Sequence, residues 1–254
     1  MIRLFSIAIL LAILFVQQPA LGGGYGSVEG QVILDEAVPV VPPLVKKRDP
    51  NTGLLPVCGV EEISDESRQF DPETRGVANV FVYLRRPPTE IHPDLKSSTI
   101  PELNVTVENC RFHPHALVVR TGQMVVFSSE DDAVSHSLNV NPFTSGSFSL
   151  TIPPAGRESM RFAFPKPELL PLKIQCDIHP WMTAWWLVLD HPYAAITDEQ
   201  GKFKIENLPE GEQEFRVWHE NAGYIARKLS VTIKAGETTS VAPLEVPLSA
   251  FERK

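Results

Sequence analysis

No basic stripe occurs anywhere in this sequence, and its 23 Lys and Arg are outnumbered by 31 Asp and Glu, for a formal charge of -8. Tracking a phosphate backbone needs clustered Lys and Arg, so a general role on nucleic acid is disfavoured. After residue 22 there is no long apolar run. A spanning helix needs about 20 such residues, so no stable membrane insertion is expected of the mature chain. Helical apolar periodicity is missing as well, since no stretch holds it over several turns. Composition is otherwise ordinary, with 43% hydrophobic and 21% charged residues, which excludes disorder throughout.

The first residues read Met1-Ile2-Arg3, then an apolar run from Leu4 to Val16 broken only by Ser6, then Gln17-Gln18-Pro19 and the small-residue stretch Ala20-Leu21-Gly22-Gly23-Gly24. This pattern is a secretory signal peptide over 1–22, with cleavage expected after Gly22. A retained anchor would be too short to span. No Cys stands at the cleavage point, so a lipid anchor has no support. The expected location is periplasmic or extracellular, in an oxidising compartment.

Beyond the signal, short runs of Val, Ile, Phe and Thr are broken by Gly, Pro, Asn and Asp. They predict twelve strands, at 27–34, 78–84, 116–120, 123–128, 147–152, 159–164, 172–176, 185–189, 202–206, 213–219, 228–233 and 240–246. An all-β chain of two sandwiches or small barrels accommodates that number better than one. Proline resists ladder pairing, so the seams fall at 39–43, 86–88 and 191–192. The stretch 38–75 reads as long, polar and irregular.

The run Thr197-Asp198-Glu199-Gln200-Gly201-Lys202-Phe203-Lys204-Ile205-Glu206-Asn207-Leu208-Pro209-Glu210-Gly211 is a turn, a strand and a second turn, with Gly201 and Gly211 supplying positive backbone angles. It resembles the carboxypeptidase regulatory-like, or transthyretin-like, domain. Two strands that open such a domain, at 27–32 and 76–84, stand far upstream. The resemblance implies one discontinuous sandwich: a first part at 23–100 with an irregular loop and linker, an inserted domain at 101–190, and a second part at 191–254.

Within the insertion, Cys176-Asp177-Ile178-His179-Pro180-Trp181-Met182 places a thiolate, an imidazole and a thioether in seven residues. Those are donors that suit copper. A blue-copper site needs two His, one Cys and a weak axial Met, so a second His is owed from elsewhere. The candidate is His136, in the polar stretch after the strand at 123–128. Zinc prefers more Cys or His and no Met, and a dinuclear copper centre of the oxidase type needs two Cys where this loop has one.

With Phe112-His113-Pro114, the apolar run 116–120, Gly122, the apolar run 124–127 and then His136 all in order, residues 105–189 resemble the cupredoxins, nearest to amicyanin in the short ligand loop. The expected fold is thus a cupredoxin-like Greek-key barrel inserted into a discontinuous sandwich. The resemblance implies one mononuclear copper ion with His136, Cys176 and His179 equatorial and Met182 axial. It also implies that His179 reaches the surface as the electron exit, in an apolar patch of Pro180, Trp181, Trp185 and Trp186. Two departures stand out. Ser137 occupies the place where the family has an Asn that ties the ligand loops together, and Asp177 follows the Cys where Thr or Ser is usual. A carboxylate there favours the oxidised metal and lowers the potential.

With Cys176 a ligand, Cys58 and Cys110 remain as an even pair, and a disulfide between them is expected to tie the outer sandwich to the insertion. The rival is a second metal site from Cys110, His113 and His115, although a regular strand would put Cys110 on the face opposite the two His. His191 and His219 read as structural.

The expected function is a one-electron carrier, not an enzyme, serving a redox partner such as a cytochrome or oxidoreductase. One alternative is an extracytoplasmic interaction or carbohydrate-binding module with a structural copper site. Another is a copper enzyme, which would need an open coordination position or a second metal.

Overall fold

A computed structural model describes residues 23–49, 57–155 and 160–252. The expected signal peptide and Ser159, at the start of one expected strand, lie outside the described residues.

The chain is all-β: the described residues form strands and short 3-10 turns, none of the turns longer than four residues. In chain order β1 (Tyr25–Leu34) and β2 (Phe81–Leu84) come first. Then follow β3 (Glu102–Glu108), β4 (Arg111–His113), β5 (Ala116–Arg120), β6 (Met124–Ser129), β7 (His136–Val140), β8 (Phe148–Ile152), β9 (Met160–Ala163), β10 (Leu172–Gln175) and β11 (Thr183–Leu189). The last group is β12 (Ala194–Ile196), β13 (Lys202–Pro209), β14 (Gly211–His219), β15 (Gly223–Ile233), β16 (Thr238–Ser240) and β17 (Leu244–Val246).

The first and last groups pair with each other. One sheet runs β13-β1-β16 with β17 also on β1, and the other runs β12-β2-β14-β15. The middle group keeps to its own sheets, β5-β11-β10-β7-β8 and β4-β3-β6-β9. Within these, β11 lies parallel to β5 and β3 parallel to β6, so strands distant in the chain become neighbours. A plain meander cannot give that; crossovers between sheets of the Greek-key kind can.

Alternation explains the pairing. Along β13, Phe203, Ile205 and Leu208 point into the core while Lys202, Lys204 and Glu206 face water. The turn before it closes where Thr197 Oγ1 donates to the Val77 carbonyl at 2.7 Å and accepts the Val80 amide at 2.9 Å. Gly201 sits there at φ +75, and a Cβ on it would come within 2.2 Å of the Val32 carbonyl oxygen, so only glycine fits.

Each sandwich has its own core. Leu34, Val80, Val82, Tyr193 and Phe215 belong to the first. Phe112, Phe127, Leu138, Ile174 and Trp186 belong to the second. Strand β11 serves both neighbourhoods: Ala184, Trp186 and Val188 face the inner core, while Leu187 and Leu189 join Phe81, Tyr83 and Trp218 in a third cluster between the sandwiches. Four residues after β11 ends, β12 is already pairing with β2.

Three local expectations change. The strands β3, β4, β7 and β12 were not anticipated, although Leu103, Val105 and Val107 alternate inward along β3. The strand expected at 240–246 is two short ones, β16 and β17, both parallel to β1. His136 is the first residue of β7 and not part of a loop.

Candidate metal centre

The hairpin of β10 and β11 pairs Gln175 with Thr183, and the residues between them form the loop that carries Cys176, His179 and Met182. The loop is closed by two backbone bonds: the Cys176 amide donates to the Met182 carbonyl at 3.1 Å, and the Met182 amide donates to the His179 carbonyl at 2.9 Å. On the other side β7 pairs with β10, Asn139 opposite Gln175. Continuing that antiparallel register by two residues sets Ser137 opposite Asp177, and Ser137 Oγ accepts the Asp177 amide at 2.7 Å. The serine therefore performs the loop tie for which the family pattern has asparagine.

This register brings His136 to the loop. Its Nδ1 lies 3.2 Å from His179 Nδ1, and Cys176 Sγ lies 3.6 Å from the same His179 nitrogen. The ligand atoms of His136, Cys176 and His179 all fall within 4.8 Å of one another, and all three side chains are buried. Met182 is buried in the same core cluster as Cys176.

The polar surroundings are ordered from outside. Asp131 Oδ2 stands 2.9 Å from His136 Nε2, and the same carboxylate accepts the Asn109 and Cys110 amides at 2.8 and 3.0 Å. Burial pushes the Asp131 carboxyl up, but contact with His136 and the amides outweighs it and the group ends lowered. Burial likewise pushes the His136 imidazole down, and Asp131 with Cys176 raises it above its ordinary value. For Cys176, burial raises the thiol, yet hydrogen bonds from His136, His179 and Ser137 bring it down to about 5. The thiolate, which is the form that binds metals, thus prevails at neutral pH.

Two imidazole nitrogens and one thiolate facing one point, with a thioether in the same loop, fit a mononuclear copper ion. Both rings turn Nδ1 inward, toward each other and Cys176, and set Nε2 against Asp131 or Cys58, so the inner nitrogens are the ones positioned for a metal.

The remaining expectations divide. Cys58 and Cys110 are disulfide-bonded, with Cα atoms 5.4 Å apart. The rival site from Cys110, His113 and His115 is not assembled: Cys110 is spent in the disulfide, and His115 Nε2 is paired with Glu220 in the cleft between the sandwiches. That cleft, about 500 Å³, is also lined by Glu66, Arg111, Trp181 and Met182. The expectation that His179 reaches the surface is corrected: it is fully buried, with Cys58 Sγ 3.5 Å from its Nε2. The disulfide occupies the place where solvent was expected. Trp186 is core and Trp185 packs on Trp218, so the exposed apolar part of the loop is Ile178, beside the exposed Pro180.

Sequence reasoning missed Asp131 and the role of Cys58 at the centre. Glu130-Asp131-Asp132 looks like an ordinary solvated acidic turn, and only the fold shows that its middle member is buried.

No protein-family model and no curated protein sequence matches the chain. Among solved structures it is similar to a copper-containing nitrite reductase from Thermus scotoductus SA-01, at 24% identity and a TM-score of 0.31, over 35% of this chain and 22% of that one. It is similar to a purple cupredoxin from Nitrosopumilus maritimus, at 16% identity and a TM-score of 0.28, over 34% of this chain and 98% of that one. A reduced amicyanin variant matches at 16% identity and a TM-score of 0.29, over 42% of this chain and 98% of that one. The chain thus spans about a fifth of the nitrite reductase. Among the described residues no helix is long and apolar enough to cross a membrane.

Proposed function

We propose that this chain is an exported type 1 copper protein that carries single electrons between redox partners in the periplasm or outside the cell. In this reading residues 101–190 are a cupredoxin-like domain set into a transthyretin-like sandwich made of 23–100 and 191–254. His136, Cys176, His179 and Met182 would hold the metal. The observation that carries the reading is the convergence of His136 Nδ1, His179 Nδ1 and Cys176 Sγ inside one buried cluster.

Bound copper would supply a one-electron couple. The protein's share is rigidity. Strands β7, β10 and β11 fix the ligand positions, Asp131 holds the His136 ring from behind, and Ser137 ties the two ligand segments together. Little rearranges between oxidation states when ligands are fixed this firmly. Asp177, exposed and held by Ser137 Oγ at 3.3 Å and Asn139 Nδ2 at 3.1 Å, places a carboxylate beside the thiolate and favours the oxidised state. A cytochrome or other oxidoreductase docking through a small transient interface is the partner this chemistry serves.

A redox titration of copper-loaded protein tests the reading. Reversible one-electron reduction, repeated over several cycles without loss of copper, is expected. A copper ion that does not cycle would instead mark a structural site in an interaction module.

A further inference from the structure

We propose that the Cys58–Cys110 disulfide is a reducible cover over the metal centre, and that its two thiols, once released, form with the outer nitrogen of His179 a second site for a soft or borderline ion such as Zn(II) or Cu(I). The sulfur and nitrogen atoms of Cys58, Cys110 and His179 already lie within 4.8 Å of one another, all three side chains buried. Cys58 Sγ is 3.5 Å from His179 Nε2. On the far side Cys110, Asp131 and His136 form a second group of the same compactness, so Cys110 stands between the two groups. Two thiolates and an imidazole, with a water molecule completing four-fold coordination, make a donor set suited to these ions.

The cover lies outside the sheets. Cys58 sits in a turn, and among the described residues its segment is fastened by the Arg48 amide to the Gly59 carbonyl at 2.7 Å, by the bridge of Val45 to Ile63 with the Leu44 amide on the Ile63 carbonyl at 2.8 Å, and by the Lys47–Glu61 ion pair. Glu61 and Glu62 beside it are exposed. Segments outside the regular sheets open locally at less cost than global unfolding, which gives a reductant access to buried sulfur. A dithiol delivers two electrons and two protons, becomes a disulfide itself, and leaves Cys58 and Cys110 as thiols. Metal binding then displaces the two thiol protons and, when copper already holds Nδ1, the proton on His179 Nε2 as well, leaving an imidazolate between the two ions. His179 faces both positions, Nδ1 toward the first and Nε2 toward the second. The second site shares that ring with the copper reading but does not depend on copper being present.

The test uses full-length copper-loaded protein, untreated or reduced by an immobilised phosphine, which takes up the oxygen of water as it reduces the disulfide. Both samples are exposed to Cd(II), passed through a desalting column and analysed for copper and cadmium per chain. The reduced protein is expected to hold one copper and one cadmium with a new ultraviolet thiolate band, and the untreated protein one copper alone. The double variant Cys58→Ser/Cys110→Ser is expected to keep its copper and take up no cadmium after either treatment. Equal cadmium in both samples, cadmium gained only as copper is lost, or a disulfide that the phosphine reduces only after denaturation would each overturn the proposal. Copper content reports the first site separately, so a chain that never held copper yet gains cadmium on reduction would fail the copper reading and not this one.

Discussion

The sulfur of Cys58 lies 3.5 Å from Nε2 of His179, two residues separated by 121 positions in the chain and both fully buried. The imidazole edge that the family resemblance assigns to electron exit therefore faces a disulfide and not water. In the proposed carrier, contact with a partner would run over the exposed apolar part of the loop, Ile178 at 53% exposure and Pro180.

Ile178→Lys places a charge on that surface without touching a candidate ligand. Electron self-exchange between two copies, measured by nuclear magnetic resonance line broadening of mixed oxidation states, is expected to fall severalfold while the visible spectrum stays unchanged. An unchanged exchange rate would move the transfer surface elsewhere.

Asp131 holds His136 from behind while its other contacts anchor it to the Asn109–Cys110 turn. Removing such an outer partner typically costs about 10–100-fold in metal affinity. Asp131→Ala is expected to weaken copper binding within that range in a competition titration, with the protein still folded. Unaltered affinity would mean that the ring is oriented by packing alone.

The fold class and the meeting of His136 with the Cys176–Met182 segment were legible in the sequence because they rest on local signals: period-two alternation, turn residues and the spacing of Cys176, His179 and Met182. The burial of His179 was not legible, because it depends on Cys58, which reaches the centre from a distant irregular segment. Asp131 was hidden for a related reason. Its neighbours Glu130 and Asp132 face solvent, and only the left-handed turn at Asn109 and Cys110, φ 48 and 52, aims two amides at it. The Ser137 departure looked like a lost tie until the strand register set it against Asp177.

Leu187 lies between the two sandwiches with Phe81, Tyr83 and Trp218, 1% exposed. Truncating a buried leucine costs about 2–5 kcal/mol. Leu187→Ala is expected to lower chemical-denaturation stability by that amount, read on both tryptophan fluorescence and metal release. A smaller loss would show the two cores to be energetically independent.

Burial pushes the His219 imidazole down to about 4, with Glu220 and Asp65 opposing the shift and His115 adding to it. The unfolded chain binds this proton near pH 6.5 and the folded chain only near 4, so the stability held above 6.5 is lost as pH falls through that window. The slope from this one group is on the order of 1 kcal/mol per pH unit. His219→Asn can keep the bond that Nδ1 accepts from the Asn221 amide. In urea titrations between pH 6.5 and 4 it is expected to show a shallower decline than the parent. Parallel declines would remove His219 as the cause.

The central claim, that Cys176 with His136 and His179 holds copper, is tested most directly by the visible spectrum of purified, copper-loaded protein and three variants. An intense thiolate-to-copper charge-transfer band is predicted for the parent, absent in Cys176→Ala and in His136→Ala and retained in His115→Ala. A colourless parent, or colour that survives Cys176→Ala, would contradict it.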